Sequence, residues 1–340
     1  MFKSLSKKIA IDLGADKIRI VAVEKLTAAV WELSATDLRS KMLEEDACLV
    51  RKKDSKKVIA VGSEALAMRG RLDQSLELIF PFWQSRIIDQ KAASDLLKNL
   101  LRRVFNGLVF SPEVLVTTVA ATTLVEQKLL SQLFYELGFS KVHLIAEPLA
   151  AAIGAGVPIA DSSGTLLLHM GASSLQFTSI ALGSVLFVKR SDLAGFRLDR
   201  AIRDHLAWRE NFQISLESAK ALKQQVFGLQ DNKRSLTVMG KSQNGANPLE
   251  LGIKNELLTP VANLFKLECS ALLQTLLADL PPELTQDVTR KGLLLSGGLA
   301  KVQGLEEFLL EEFKLPVALL EDSELLAIMG AAEMMRSGSV

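Results

Sequence analysis

Cysteine is scarce: the 340 residues hold two, Cys48 and Cys269, with no CxxC pair. That excludes a disulfide framework and a cysteine-built zinc site, and it fits a reducing compartment. Histidine numbers three, and His143 and His205 stand alone, without the spacing of a metal site or a catalytic triad. A surplus of either charge is missing too. With 40 basic and 39 acidic residues the net charge is +1, so there is no basic surplus to draw nucleic acid. No secretory leader is read at the start, where MFKSLSKK runs straight into a strand pattern. Residues 162–188 lack Asp, Glu, Lys and Arg, yet Gly171, Gly183, His169 and Gln176 interrupt their apolarity. They read as strand, turn, strand, turn, strand and not as a spanning helix. The tryptophans Trp31, Trp83 and Trp208 read as packing residues, and RKKDSKK (51–57) as a solvated hairpin turn.

What is present is a hydrophobic content of 49%, enough for more than one core, and an internal repeat. IAIDLGADKIRI (9–20) lies over LLLHMGASSLQF (166–177): three apolar residues, a polar one, an apolar one, Gly-Ala, two polar residues and an alternating strand. Asp12 falls on His169, Gly14 on Gly171 and Ala15 on Ala172. Each segment predicts a β-hairpin with glycine in its turn. Residues 114–156 read as strand, loop, helix, strand, helix, and 292–332 repeat that plan. Leu129, Leu130, Leu133 and Phe134 form the apolar face of one helix; Leu305, Phe308, Leu309 and Phe313 form that of the other. Gly138 and Pro316 end these helices. The duplication implies two related α/β domains flanking a nucleotide cleft.

The repeated segments resemble the actin and sugar-kinase superfamily, and within it the bacterial actin family of MreB. IAIDLGADK is similar to its first phosphate loop and LLLHMGASS stands at the second. LLLSGG (293–298) resembles the adenosine loop. EPLAAAIGAGVP (147–158) is the most family-specific string, and KGLLLSGGLAKVQGLEEFL (291–309) matches the family's C-terminal region. The resemblance implies a duplicated ribonuclease H-like, actin-like ATPase fold. Domain I would hold residues 1–147 and about 320–340, with a small inserted subdomain at about 33–78. Domain II would hold 148–319, with an insertion at about 190–250.

The same resemblance implies roles. Asp12 would serve Mg²⁺ or the attacking-water network, since Mg²⁺ takes hard oxygen ligands. Lys17 would reach phosphate as a point charge. Glu147 would position or activate water, and Ser174 would keep a hydroxyl where the family has threonine. Gly14, Ala15, His169, Gly171, Ala172, Ser173, Gly195, Lys223, Gly297 and Gly298 would line the nucleotide, ATP or ADP. Several positions depart from the family pattern. His169 replaces a carboxylate and is a poor Mg²⁺ ligand. Ala172 and Ser173 replace glycines, Phe196 and Arg197 replace acidic residues, and Gln225 and Leu299 replace Glu and Gly. Mg²⁺ binding is expected to be weakened and hydrolysis slow or lost.

By resemblance the chain would be cytoplasmic and peripheral at the inner membrane face, forming filaments with itself or a paralogous MreB. Its partners would be MreC- and RodZ-type proteins, its work cell shape and wall synthesis. Phe2, Leu5, Leu108, Val109 and Phe110, each near cations, would touch the membrane surface. The rival reading is a non-hydrolysing scaffold similar to FtsA or PilM. A small-molecule kinase of the superfamily would need an acceptor pocket and a catalytic base, and the sequence shows no extra carboxylate constellation for them.

Overall fold

Both hairpins form where the apolar alternation predicts them, and each seeds a five-stranded sheet. The computed structural model describes residues 6–26, 28–105, 110–242 and 248–339. The chain divides into two units, Met1–Ile159 with Glu324–Val340, and Ala160–Ser323. The first unit's sheet contains β1 (Ser6–Leu13), β2 (Lys17–Ala22), β3 (Met42–Asp46), β4 (Phe110–Thr118) and β5 (Lys141–Ala146), in the order β5-β4-β1-β2-β3. The second unit's sheet contains β6 (Thr165–Met170), β7 (Leu175–Ala181), β8 (Ser184–Ser191), β9 (Leu293–Ser296) and β10 (Val317–Leu319), in the order β10-β9-β6-β7-β8. These are one topology twice. In each, three consecutive strands pair antiparallel, and two later strands add parallel on the far side of the first. The uncharged stretch 162–188 supplies β6, β7 and part of β8.

Helices α1 (Gln90–Val104), α2 (Leu124–Glu136) and α3 (Glu147–Gly154) belong to the first unit. Helices α4 (Gly195–Arg209), α5 (Leu216–Gln225), α6 (Thr259–Asp279) and α7 (Leu305–Phe313) belong to the second, and α8 (Leu326–Ser337) returns to the first. Among the described residues, one stretch, Asn255–Asp279, is long and apolar enough to cross a membrane by length and composition. Its Phe265, Cys269, Leu273 and Leu276 are buried in the second unit's core. The insertion in the first unit carries a small sheet of Leu49–Lys52, Val58–Val61 and Leu76–Ile79. That in the second carries the hairpin Ser235–Ser242 and Pro248–Lys254 beside Phe212–Gln213.

Four expectations change. Leu130, Leu133 and Phe134 of α2 are buried, but Leu129 is 52% exposed, one position off the stripe that faces the core. Trp208 is 82% exposed; α4 buries Leu198, Ile202 and Leu206, and a residue two beyond that four-residue series falls on the opposite face. Arg51 is buried outside the solvated turn, bonded to Glu77 at 2.8 Å and Asp89 at 2.7 Å. The first unit runs to Ile159 and not to 147, because α3 packs against α8. That packing is backbone to backbone. A Cβ on Gly330 would lie 1.8 Å from the Ala150 carbonyl oxygen, and one on Gly154 would lie 2.1 Å from that of Leu326. The small residues of AAAIG and MGAA permit this approach. The two cysteines are buried and free; burial pushes the Cys48 thiol up to about 12, and a protonated thiol is unreactive at neutral pH.

Gly330→Ala is therefore expected to destabilise the first unit by about 2–3 kcal/mol or more, since overpacking two rigid backbones forces them apart. Urea unfolding of the purified variant measures it, and an unchanged midpoint would contradict the close helix contact.

Candidate functional site

In the first unit, three neighbouring parallel strands end at one edge of the sheet. Register places Ile11 of β1 beside Val116 of β4, and Thr118 of β4 beside Ala146 of β5. Asp12, Thr117 and Glu147 therefore sit together at carboxyl ends of strands, where open α/β sheets bind ligands. Asp12 and Glu147 are 6% and 8% exposed. Glu147 opens α3, with Pro148 behind it in the first turn, so its carboxylate lies at the positive end of a helix. Beside them, Gly14 to Lys17 close the hairpin between Leu13 and Ile18.

Asp12 is not exposed as a bare ligand. Thr117 donates its hydroxyl to Asp12 Oδ1 at 2.8 Å and accepts the Leu13 N–H at 3.2 Å. Arg19 donates from Nη1 to Asp12 Oδ2 at 3.0 Å and from Nε to Glu44 at 2.6 Å. Register explains the arrangement, because Asp12 lies opposite Arg19 and Arg19 opposite Glu44 across β1, β2 and β3. Burial opposes the Arg19 charge, yet the Asp12 and Glu44 carboxylates outweigh it and hold the guanidinium above its ordinary range. Lys17 bonds Asp46 at 2.8 Å, again a cross-strand pair. Arg19 carried no motif signal; the alternation of charge at positions 12, 19 and 44 becomes readable only once the strand register is known.

In the second unit the equivalent edge is built from β6 and β9. His169 and Ser296 are paired in register, and His169 Nδ1 lies 3.0 Å from Ser296 Oγ. Both are buried. Gly171 to Ser174 close the hairpin, with the Gly171 N–H donating to the Ser174 carbonyl at 2.9 Å. Gln176 donates to the Ser174 hydroxyl at 3.0 Å. The loop is tied to the start of α4, because Gly195 N–H donates to the Gly171 carbonyl and Phe196 N–H to that of Ala172. Lys223 of α5 bonds the Gly195 carbonyl at 2.8 Å and Asp199 at 2.7 Å. Gly297 donates to the Ser323 carbonyl and Gly298 begins a short 3-10 turn ending at Lys301. His169, Gly171, Ala172, Ser173, Ser174, Gly195, Lys223, Gly297 and Gly298 thus share the carboxyl-end region of this sheet.

The residues do not fit Mg²⁺. Each Asp12 oxygen already accepts a hydrogen bond, Oδ1 from Thr117 and Oδ2 from Arg19, and His169 offers nitrogen where the ion prefers oxygen. Among the described residues, no group of three or more His, Cys, Asp or Glu is placed to hold a metal ion. Phe2, Leu5, Leu108 and Val109 lie outside the described residues; Phe110 begins β4, and its side chain is not described. His205 bonds the Leu257 carbonyl, and His143 lies on β5.

Two copies of one sheet, each with hairpin and strand-end loops at its carboxyl edge, define an actin-like α/β protein. The fold is similar to that of MreB 5 of Spiroplasma citri bound to AMPPNP (TM-score 0.90, 24% identity, 99% of this chain and 98% of that one). It is similar also to the chain of the MamK double helical filament (TM-score 0.78, 16% identity, 98% and 99% covered). In sequence, the cell shape-determining protein MreB of Escherichia coli K12 is 29% identical over 272 residues, 78% of each chain. The cell shape-determining protein Mbl of Bacillus subtilis 168 is 27% identical over 287 residues, 83% of this chain and 85% of that one. The family model of the MreB/Mbl protein matches residues 6–339, and the chain belongs to that family.

Thr117→Val removes the hydroxyl that serves both Asp12 and the Leu13 N–H. Leaving two buried polar groups short of a partner is expected to cost about 2–4 kcal/mol. Denaturant unfolding reads this directly; a loss under roughly 0.5 kcal/mol, the range of a neutral surface change, would show that neither group depends on Thr117.

Proposed function

We propose that this chain is a nucleotide-binding, filament-forming protein that organises cell shape, with ATP hydrolysis slow or lost. Membership of the MreB/Mbl family supports the cell-shape role, and the related MamK assembles as a double helical filament. Structures of the Spiroplasma relative hold AMPPNP and ADP, which supports adenine nucleotide as the ligand of the carboxyl-end loops. In this reading Glu147 orients water, Ser174 offers a hydroxyl, and Gly14, Ala15, Gly171, Ala172, Ser173, Gly297 and Gly298 line the nucleotide with Lys223 and Gly195. Cytoplasmic filaments at the inner membrane and MreC- and RodZ-type partners come from the family resemblance alone. So do the membrane contacts of Phe2, Leu5, Leu108, Val109 and Phe110.

The observation that carries slow hydrolysis is the chemistry of the two repeated positions. Asp12 is bonded to Arg19 and Thr117, and its counterpart is His169, bonded to Ser296. Neither position offers an unengaged carboxylate to steer water, and loss of one such group lowers rate on the order of 10²–10⁴-fold. The same observation favours the second reading, a non-hydrolysing actin-like scaffold that recruits a membrane-associated complex.

Phosphate release measured beside Escherichia coli MreB, with pelleting and electron microscopy of both, tests the proposal. This chain is expected to form ATP-dependent polymer while releasing phosphate on the order of 100-fold more slowly, and His169→Asp to raise the rate. Equal turnover would refute slow hydrolysis, and polymer indifferent to nucleotide would favour the scaffold.

A further inference from the structure

Resting on the nucleotide reading above, we propose that Arg19 takes the place of a divalent cation in the first loop, so that the chain binds the nucleotide's phosphates without Mg²⁺. A polyphosphate beside a bare carboxylate is repelled unless a cation stands between them. Here the cation belongs to the chain. Arg19 lies across from Asp12 in the hairpin and holds its Oδ2 at 3.0 Å. The guanidinium carries five N–H donors in a planar fork suited to phosphate, and Asp12 and Glu44 are bonded through Nη1 and Nε. Arg39 approaches Glu44 from the other side at 3.8 Å, so Glu44 is shared between two cations. The Arg19 side chain keeps 15% of its surface exposed, a route by which a phosphate oxygen reaches it. The neighbouring cation, Lys17, is bonded to Asp46.

The second hairpin is consistent with the same logic. His169 sits opposite Gln176 where Asp12 sits opposite Arg19. One repeat neutralises its carboxylate internally and the other has none, so neither asks for a metal. The ligand class is a nucleoside di- or triphosphate taken up as the free anion.

Titration of a fluorescent ATP analogue into the full chain, in excess EDTA and then in Mg²⁺, decides the matter. The expected affinities agree within about threefold. Binding in Mg²⁺ that vanishes in EDTA would overturn the proposal and leave the nucleotide reading intact. Binding in neither buffer would overturn the nucleotide reading itself. Arg19→Gln is expected to weaken binding in EDTA by on the order of tenfold or more, the scale of one charge-assisted hydrogen bond, and to make binding Mg²⁺-dependent as Asp12 is released. Unchanged affinity in EDTA would remove Arg19 from the site. Circular dichroism checks that this variant folds. Should it not, Arg19→Lys, which keeps the charge but not the fork, is expected to retain binding in EDTA weakened by no more than about tenfold, and complete loss of that binding would count against the proposal.

Discussion

A carboxylate buried at the end of a strand must be paired, and the pairing of Asp12 governs what the first loop can do. Removing one partner of a buried ion pair costs on the order of 3–5 kcal/mol, because the other charge is left uncompensated. The Asp12–Arg19–Glu44 ladder spans three adjacent strands, so it is fixed by register as much as by charge. A one-residue slip of β2 would turn Arg19 to the other face of the sheet. Thr117 adds a second lock from the parallel neighbour β4. The carboxylate is thereby held still, with its charge balanced by the guanidinium.

The duplicated hairpins have diverged in opposite ways under the same backbone constraint. Both close four-residue turns, between Leu13 and Ile18 and between Met170 and Leu175. A Cβ on Gly14 would come within 2.6 Å of the Lys17 carbonyl oxygen, whereas one on Gly171 would meet nothing nearer than 3.7 Å. The first turn is tight and requires its glycine; the second has room. The first repeat has a carboxylate, paired with one arginine and one hydroxyl. The second has histidine at the corresponding position and ties its polar groups to Ser296, to Gln176 and to the start of α4.

Much of the architecture was legible in the sequence. The alternation in 9–20 and 166–177, and the repeated strand–helix plan in 114–156 and 292–332, correspond to equivalent elements of the two sheets. Periodicity resolved the buried faces of α2 and α7 apart from Leu129, since 3.6 residues per turn leaves the edge of a stripe ambiguous. Burial of Arg51 and exposure of Trp208 depended on which strand and which helix face each joined, a tertiary matter. The greatest gap was Arg19. An arginine between two isoleucines in an alternating strand reads as a solvent-facing residue, and its partners are 7 and 25 residues away. Only the pairing of three strands brings them together. The ion pair of Lys17 was hidden for the same reason, its Asp46 partner lying on β3.

The placement of stability explains how such loops drift without loss of the fold. The first unit is knit by the backbone contact of α3 with α8, and each unit has its own buried cluster of aliphatic and aromatic side chains. None of that depends on the identity of residue 169 or 172. The loop polar groups are satisfied within the chain: Gly171 and Ala172 carbonyls by α4, Ser174 by Gln176, Asp12 by Arg19 and Thr117. A ligand that meets groups already bonded gains only the difference between the new and the existing partners. On the proposal above, a phosphate bridging to Arg19 adds to these bonds, whereas an octahedral metal claiming Asp12 must break them.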